Sequence, residues 1–226
     1  MNYFQILGIA VFGEILCSFI LNFVGNRFIE PYRNINPPHK KMYVIKNFIK
    51  SLVLGFFTFN YSDMYKMILN NKWDNDILYS MTILYVMNDI TGLIIVNKNL
   101  PTTTKIHHVC VAFLGYFSLK NDYTQDGVMR LVFLNAYFSS MAFLVNLFLA
   151  VRVVYPKRIE TFLLSIIALY NYIILCIINW SIHYYMFFYA FVSNNFDKNY
   201  MFYFIIFHII MRDDLVLMGW LKNFVS

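Results

Sequence analysis

The sequence contains little charge, glycine, proline or cysteine. Only 13% of its 226 residues are charged and 60% are hydrophobic, which excludes an ordinary soluble domain. The three cysteines (Cys17, Cys110, Cys176) lie inside apolar stretches without metal-like spacing, so neither a disulfide framework nor a cysteine metal site is expected. The 18 Lys and Arg residues lie between apolar stretches rather than on one face, which argues against nucleic acid as a partner.

The apolar residues are abundant and fall in blocks of about 20, the length that crosses a bilayer as a helix. Because backbone polar groups in lipid must be paired internally, we expect an all-α, polytopic membrane protein with about seven transmembrane helices. No glycine or proline interrupts residues 161–192, which predicts one long tilted helix there rather than two crossings. The predicted spans are 3–24, 43–60, 77–97, 103–119, 129–151, 160–186 and 200–221.

Loop charges predict the orientation of these spans. Basic residues are in excess in segments 25–50, 98–105 and 152–158, whereas the intervening loops balance Lys against Asp. The positive-inside rule therefore places the C-terminus in the cytosol and the N-terminus on the lumenal or external side. We expect a multi-pass integral protein of the endoplasmic reticulum or of another internal membrane, a host's included.

Five ionisable residues lie inside the predicted spans at similar depth: Asp89 in the third, His107 and His108 at the start of the fourth, and Asp213 and Asp214 in the seventh. A carboxylate in a lipid-spanning helix costs about 2.5–3.5 kcal/mol, so such groups face the bundle interior and find partners. Imidazoles beside a carboxylate are typical of proton transfer and nucleophilic chemistry. We predict a polar pocket in the cytosolic leaflet with these five as candidate catalytic residues.

Each candidate also has a structural interpretation. Asp89 could fix helix packing, the two histidines could lie in interfacial water, and Arg212 could neutralise the two aspartates that follow it. The carboxylates and imidazoles would then carry no chemistry.

A stripe of polar residues marks the fifth span. Asn135, Ser139 and Asn146 lie on one helical face, which favours helix–helix packing, with cavity lining as the alternative. His183 and His208 are expected to be core histidines.

Four motifs carry a family resemblance. They are His39-Lys40-Lys41, Tyr85-Val86-Met87-Asn88-Asp89, His107-His108 and Leu134-Asn135-Ala136-Tyr137-Phe138-Ser139-Ser140. With them, residues 38–222 resemble the TLC-domain family, which includes ceramide synthases and lipid-homeostasis proteins. The resemblance implies seven helices, six of which enclose a lipid-accepting cavity. Residues 1–37 would form a first helix with a basic linker, and residues 38–226 the TLC-like domain.

The resemblance implies a role in lipid metabolism or membrane lipid homeostasis, with membrane lipids as partners. The alternative is an acyl-CoA-dependent lipid acyltransferase of ceramide-synthase type, in which a histidine of the pair is base or nucleophile and Asp89 orients it. Ceramide synthases carry His-Asp-x-x-Asp in a further span, where this chain has Leu134, Asn135 and Phe138. Whether the chain is an enzyme therefore stays open.

No metal or bound cofactor is expected, because five scattered histidines are too few for a di-iron centre; acyl-CoA would be a co-substrate. Basic loop residues could hold a phosphorylated carrier at the cytosolic mouth, or could only set the topology. They are Lys98, Lys105, Arg152, Lys157 and Arg158.

Overall fold

The computed structural model describes residues 2–59, 61–96, 100–125 and 127–225, with 61–65 by their backbone alone. Among these residues every regular element is an α-helix, which confirms the predicted all-α class. The helices are α1 (Tyr3–Phe28), α2 (Glu30–Arg33), α3 (His39–Phe59), α4 (Tyr61–Asn70), α5 (Asn75–Ile95), α6 (Thr102–Ser118), α7 (Gly127–Ser140), α8 (Phe143–Val154), α9 (Ile159–Val192) and α10 (Lys198–Val225).

Four helices, α1, α3, α5 and α9, are long and apolar enough to cross a membrane, and the bent pair α7–α8 makes a fifth candidate. This set is compatible with an integral membrane protein. The helices at the predicted fourth and seventh spans, α6 and α10, do not reach the same combination of length and apolar composition.

Helix α9 runs unbroken for 34 residues, as the absence of glycine and proline predicts. At 1.5 Å per residue its length is about 51 Å, well beyond the roughly 30 Å of a hydrocarbon core. It packs against three other helices, α7, α8 and α10.

The predicted span 129–151 is not one straight helix. Helix α7 ends at Ser140 and α8 begins at Phe143, with a bend of 41° between them. The carbonyl of Met141, released by the break, accepts a hydrogen bond from the Asn171 side chain of α9 (3.1 Å). A hydrogen-bond partner of this kind makes a helix break tolerable at membrane depth. Neither glycine nor proline occurs at the break, so the sequence did not predict it.

Polar caps begin two of the candidate membrane-spanning helices. The Asn2 side chain accepts from the backbone of Phe4, and the Gln5 side chain accepts from the backbone of Asn2, which together form a capping box for α1. The Asp74 carboxylate accepts from two backbone N–H groups in the first turn of α5. These caps fix where the apolar helices begin.

The turn between α6 and α7 is held by Asp122. Its Oδ1 accepts from the Asn75 side chain (2.7 Å) and from the backbone and hydroxyl of Thr124 (2.8 and 2.7 Å). These hydrogen bonds, the one from Asn75 first, lower the pKa of Asp122 below its ordinary value. The turn is therefore tied to the start of α5.

Helices α5 and α6 approach closely at Gly115. A Cβ at this position would lie 2.3 Å from Cγ2 of Val86, a distance that real atoms do not adopt. Only glycine lets the two backbones meet here, and this contact sets the spacing between the helices that carry Asp89 and the histidine pair.

Helix α1 lies at the edge of the bundle. Large apolar side chains such as Phe12, Phe19 and Phe23 are exposed, whereas Glu14, Ser18 and Gly25 are its buried residues. The helix packs against α2, α3 and α5. A polar residue therefore lies on the face that meets the bundle and apolar residues on the face that would meet lipid.

Candidate functional site

Asp89 is the centre of a buried polar cluster. Its side chain is inaccessible to solvent, and its Oδ1 accepts a hydrogen bond from Nζ of Lys50 on α3 (2.5 Å). Nδ1 of His108 on α6 lies 2.7 Å from the same oxygen, at ion-pair distance. Oδ2 is buried without a hydrogen-bond partner among the described residues. Two potentially cationic groups thus share one oxygen.

His107 points to a different helix. Its Nδ1 lies 3.3 Å from Oδ2 of Asp213 on α10, and the other oxygen of Asp213 accepts from the hydroxyl of Thr104 (3.0 Å). Adjacent residues on a helix point about 100° apart, so the histidine pair bridges α6 to α5 and to α10 at once. Both Nδ1 atoms make their carboxylate contacts without the alignment of a hydrogen bond.

Asp214 lies beside this cluster with a partner of its own, because its Oδ1 accepts from the hydroxyl of Tyr172 on α9 (2.7 Å). Arg212 is exposed and forms no ion pair with either aspartate among the described residues. Local neutralisation by Arg212 therefore does not explain Asp213 and Asp214. The five predicted residues come together, each carboxylate with a different donor.

Sequence reasoning missed one member of this cluster and misassigned two. Glu14 is not among the predicted site residues, and Lys46 and Lys50 belong to the basic segment 25–50, which is interpreted as a topology signal. The structure places Lys46 in α3, fully buried, in an ion pair with Glu14 of α1. Its Nζ also donates to Asn88 (3.2 Å) and Thr91 (2.5 Å) of α5. The sequence contains a signal for these residues. Glu14 is a lone acid in the first apolar stretch, and Lys46 and Lys50 lie inside the second predicted span.

A cavity of about 820 Å³ opens beside the cluster. Its lining includes the connections at residues 34–40, 100–101 and 156, which we call its mouth, and it reaches Tyr85 and His107. Charged and amide side chains line it together with apolar ones such as Leu54, Val145 and Leu149 of α3 and α8. The mouth lies at the end of the bundle predicted to face the cytosol.

A second, smaller cavity of about 50 Å³ adjoins the first. The two share Tyr85, His107 and Ser139 in their walls. The walls of the small cavity are mostly apolar and include Phe57, Val86, Val111, Leu114, Val132 and Phe133. His107 thus lines both cavities.

The polar stripe on the fifth predicted span divides between packing and lining. Asn135 is buried and accepts a hydrogen bond from the Asn179 side chain of α9 (2.8 Å), which is a packing contact. Ser139 and Asn146 line the large cavity. Both interpretations of the stripe therefore apply, to different residues.

Two further histidines lie outside this site. His183 is fully buried, with ring nitrogens 2.8 Å from the Asn179 carbonyl and 3.1 Å from the Leu131 carbonyl. His208 is half-buried and contacts the hydroxyl of Tyr184 (2.9 Å). Neither lines the two cavities.

Asp89, His107 and His108 could offer one ligand atom each to a metal ion, since these atoms lie within 4.8 Å of one another. Two imidazoles and a carboxylate suit zinc or iron(II). The ammonium of Lys50, however, contacts Oδ1 of Asp89 and already compensates its charge. A divalent cation would have to displace this lysine, so the arrangement fits an ion-paired network better than a metal centre.

Of the five basic loop residues, Arg152 lines the large cavity. Lys105, Lys157 and Arg158 do not, and Lys98 lies outside the described residues.

Comparison of the chain with protein-family models, with curated proteins and with solved structures found no match. The resemblance to the TLC-domain family therefore stays a prediction.

Proposed function

We propose that this chain is a TLC-like multi-pass membrane protein that binds an amphiphilic lipid and acts in lipid metabolism or membrane lipid homeostasis. One observation carries the proposal: a large cavity with both charged and apolar walls adjoins a small apolar one, and His107 lines both. A lipid has the same division, with a polar head and an apolar tail. A volume of about 820 Å³ is also within the ordinary range for ligand sites.

The proposal includes the seven-span arrangement, with α6 and α10 as the fourth and seventh spans. Three of the ionisable groups that lower their apolar character are paired within the bundle, His107 with Asp213 and Asp214 with Tyr172, whereas Arg212 is exposed. Paired polar groups that face the interior are compatible with a lipid-exposed outer face. The membrane we expect is the endoplasmic reticulum or another internal membrane.

Acyl transfer from acyl-CoA is the second candidate function, and the position of His107 favours it. This imidazole faces both cavities and contacts a carboxylate, the arrangement of an activated base or nucleophile. His108 contacts Asp89, which Lys50 already neutralises in part, so this second pair would position rather than react. Asn135 is engaged with Asn179 and supplies no acid in place of the ceramide-synthase motif.

Lipid extraction and mass spectrometry of the purified protein test the proposal. An amphiphile should copurify with the wild type, and Ala136→Phe should reduce its occupancy several-fold because Ala136 lines the small cavity. Leu16→Phe is the matched control, since Leu16 is exposed on the outer face of α1. Equal lipid content in both variants and in an empty-micelle blank would reject lipid binding in this cavity.

Incubation with a long-chain acyl-CoA and candidate amine or hydroxyl lipids separates the two functions. Acyl transfer predicts a product that is lost in His107→Ala and kept in His208→Ala, because His208 lies outside both cavities. Bound lipid without product under all conditions would leave the non-catalytic function and reject the transferase.

A further inference from the structure

We propose that the mouth of the large cavity is a phosphate-binding subsite built on Arg152, an inference that rests on the proposed binding of an amphiphile in that cavity. Arg152 lies in the last turn of α8 and lines the cavity. Its guanidinium lies over the indole of Trp220 on α10, 4.4 Å from the ring centroid. The side chain is thus held against Trp220, which also lines the cavity.

Among the described residues, no carboxylate compensates the charge of Arg152 by an ion pair. Its Nε is buried without a hydrogen-bond partner in the same part of the chain. Its Nη2 donates a long hydrogen bond, 3.5 Å, to the hydroxyl of Tyr43. By contrast, Lys46 and Lys50 each contact a carboxylate. A cation that only set topology would turn its polar atoms to water.

Phosphate is the anion that these groups fit. A guanidinium presents a planar fork of donors that matches phosphate, and stacking on an aromatic ring orders that plane in advance. Tyr43 adds a hydroxyl beside the fork, and Lys40 adds a second cation at the rim of the same cavity. Together they can offer several charge-assisted hydrogen bonds to one group.

The charge distribution also places the phosphate at the mouth. The other buried cations of the lining already contact carboxylates: Lys46 contacts Glu14, Lys50 contacts Asp89 and His107 contacts Asp213. An anion is therefore best held at Arg152. The uncharged tail of the same molecule can lie along Leu54, Val145 and Leu149 and extend toward His107 and the apolar cavity. The ligand class is therefore a phosphate-bearing amphiphile, either a phospholipid with a phosphomonoester head or an acyl chain on a phosphorylated carrier.

Binding measurements in dodecyl maltoside micelles, which carry no phosphate, test this subsite with the full chain. The probes are dioleoyl phosphatidate against dioleoylglycerol, and oleoyl-CoA against oleic acid. We expect the wild type to prefer the phosphate-bearing member of at least one pair by about tenfold or more. Preference in the first pair identifies a lipid headgroup and preference in the second a phosphorylated carrier, while millimolar inorganic phosphate should compete in either case.

Arg152→Gln should abolish the preference and leave binding of the phosphate-free probes unchanged, which also shows that the variant is folded. Tyr43→Phe should reduce the preference only a few-fold. Arg158→Gln is the matched control, because Arg158 is a nearby cation that stacks on Tyr155 away from the cavity. Equal binding of both members of each pair, or equal effects of the two arginine variants, would overturn the subsite. Absence of binding by every probe would instead refute the proposed function.

Discussion

Replacing Asp89 with Asn should destabilise the folded protein strongly, because Asp89 compensates Lys50 across the α3–α5 contact. Nζ of Lys50 lies 2.5 Å from Oδ1, and the carboxylate is wholly buried. Removing one member of a buried ion pair costs about 3–5 kcal/mol. The Lys50 side chain is 17% accessible and lines the water-accessible cavity, so its ammonium can be partly rehydrated. We therefore expect the lower end, about 3 kcal/mol.

A double-mutant cycle separates this pair from the rest of the cluster. Lys50→Met alone leaves Asp89 charged and buried, whereas Asp89→Asn with Lys50→Met removes both charges. The double variant should be more stable than the sum of the single changes predicts, with a coupling of about 2–3 kcal/mol. The readout is the free energy of unfolding from a reversible sodium dodecyl sulfate titration in mixed micelles, followed by circular dichroism.

Glu160→Gln is the control for the loss of an acidic side chain, since Glu160 is exposed in the first turn of α9. It should change the unfolding free energy by less than about 1 kcal/mol. Two results together would refute the ion pair between Lys50 and Asp89 inside the bundle. Asp89→Asn would also change the unfolding free energy by less than about 1 kcal/mol, and the effects of the single changes would be additive.

Three further predictions concern packing, a hydrogen bond and pH. Gly115→Ala should destabilise by about 1–3 kcal/mol in the same unfolding assay because it closes the α5–α6 approach, whereas Gly8→Ala, with open space around it, should be neutral or slightly stabilising. Alanine substitutions of Asn135 and Asn179 should show a coupling of about 0.6 kcal/mol in a double-mutant cycle, and strict additivity would contradict their hydrogen bond. Asp122 has a lowered pKa when folded, so its contribution to stability is present above pH 3.8 and is lost as the pH falls through the lower folded value; Asp122→Asn should reduce the acid-induced loss of stability, and an unchanged pH profile would contradict this assignment.

The positions of the helices could be predicted from the sequence because apolar length decides them. Predicted span 77–97 corresponds to α5 (Asn75–Ile95) and predicted span 160–186 lies within α9 (Ile159–Val192). The break between α7 and α8 could not be predicted, because it depends on a hydrogen bond from Asn171, 30 residues later in the chain. The residues around the break do not indicate a hydrogen-bond partner on another helix.

The candidate site shows the same division. Spacing and expected depth were enough to predict that Asp89, His107 and Asp213 face a common interior. They could not show that the two histidines contact different carboxylates, since that depends on which helices lie on either side of α6. The role of Lys50 was hidden because a lysine near a span end is ordinarily a topology signal, and only the contact between α3 and α5 shows otherwise.

The ion pairs among the first three long helices have a consequence for membrane insertion. Glu14 on α1 and Asp89 on α5 are each matched by a lysine of α3, so the four charges sum to zero within these helices. If the helices insert in chain order, Lys46 meets its partner once α1 and α3 are both in the bilayer. Lys50 must wait for α5, and its long side chain can reach the interface until then. The four charges of these two ion pairs thus compensate one another once α5 is in place, without any residue of α6.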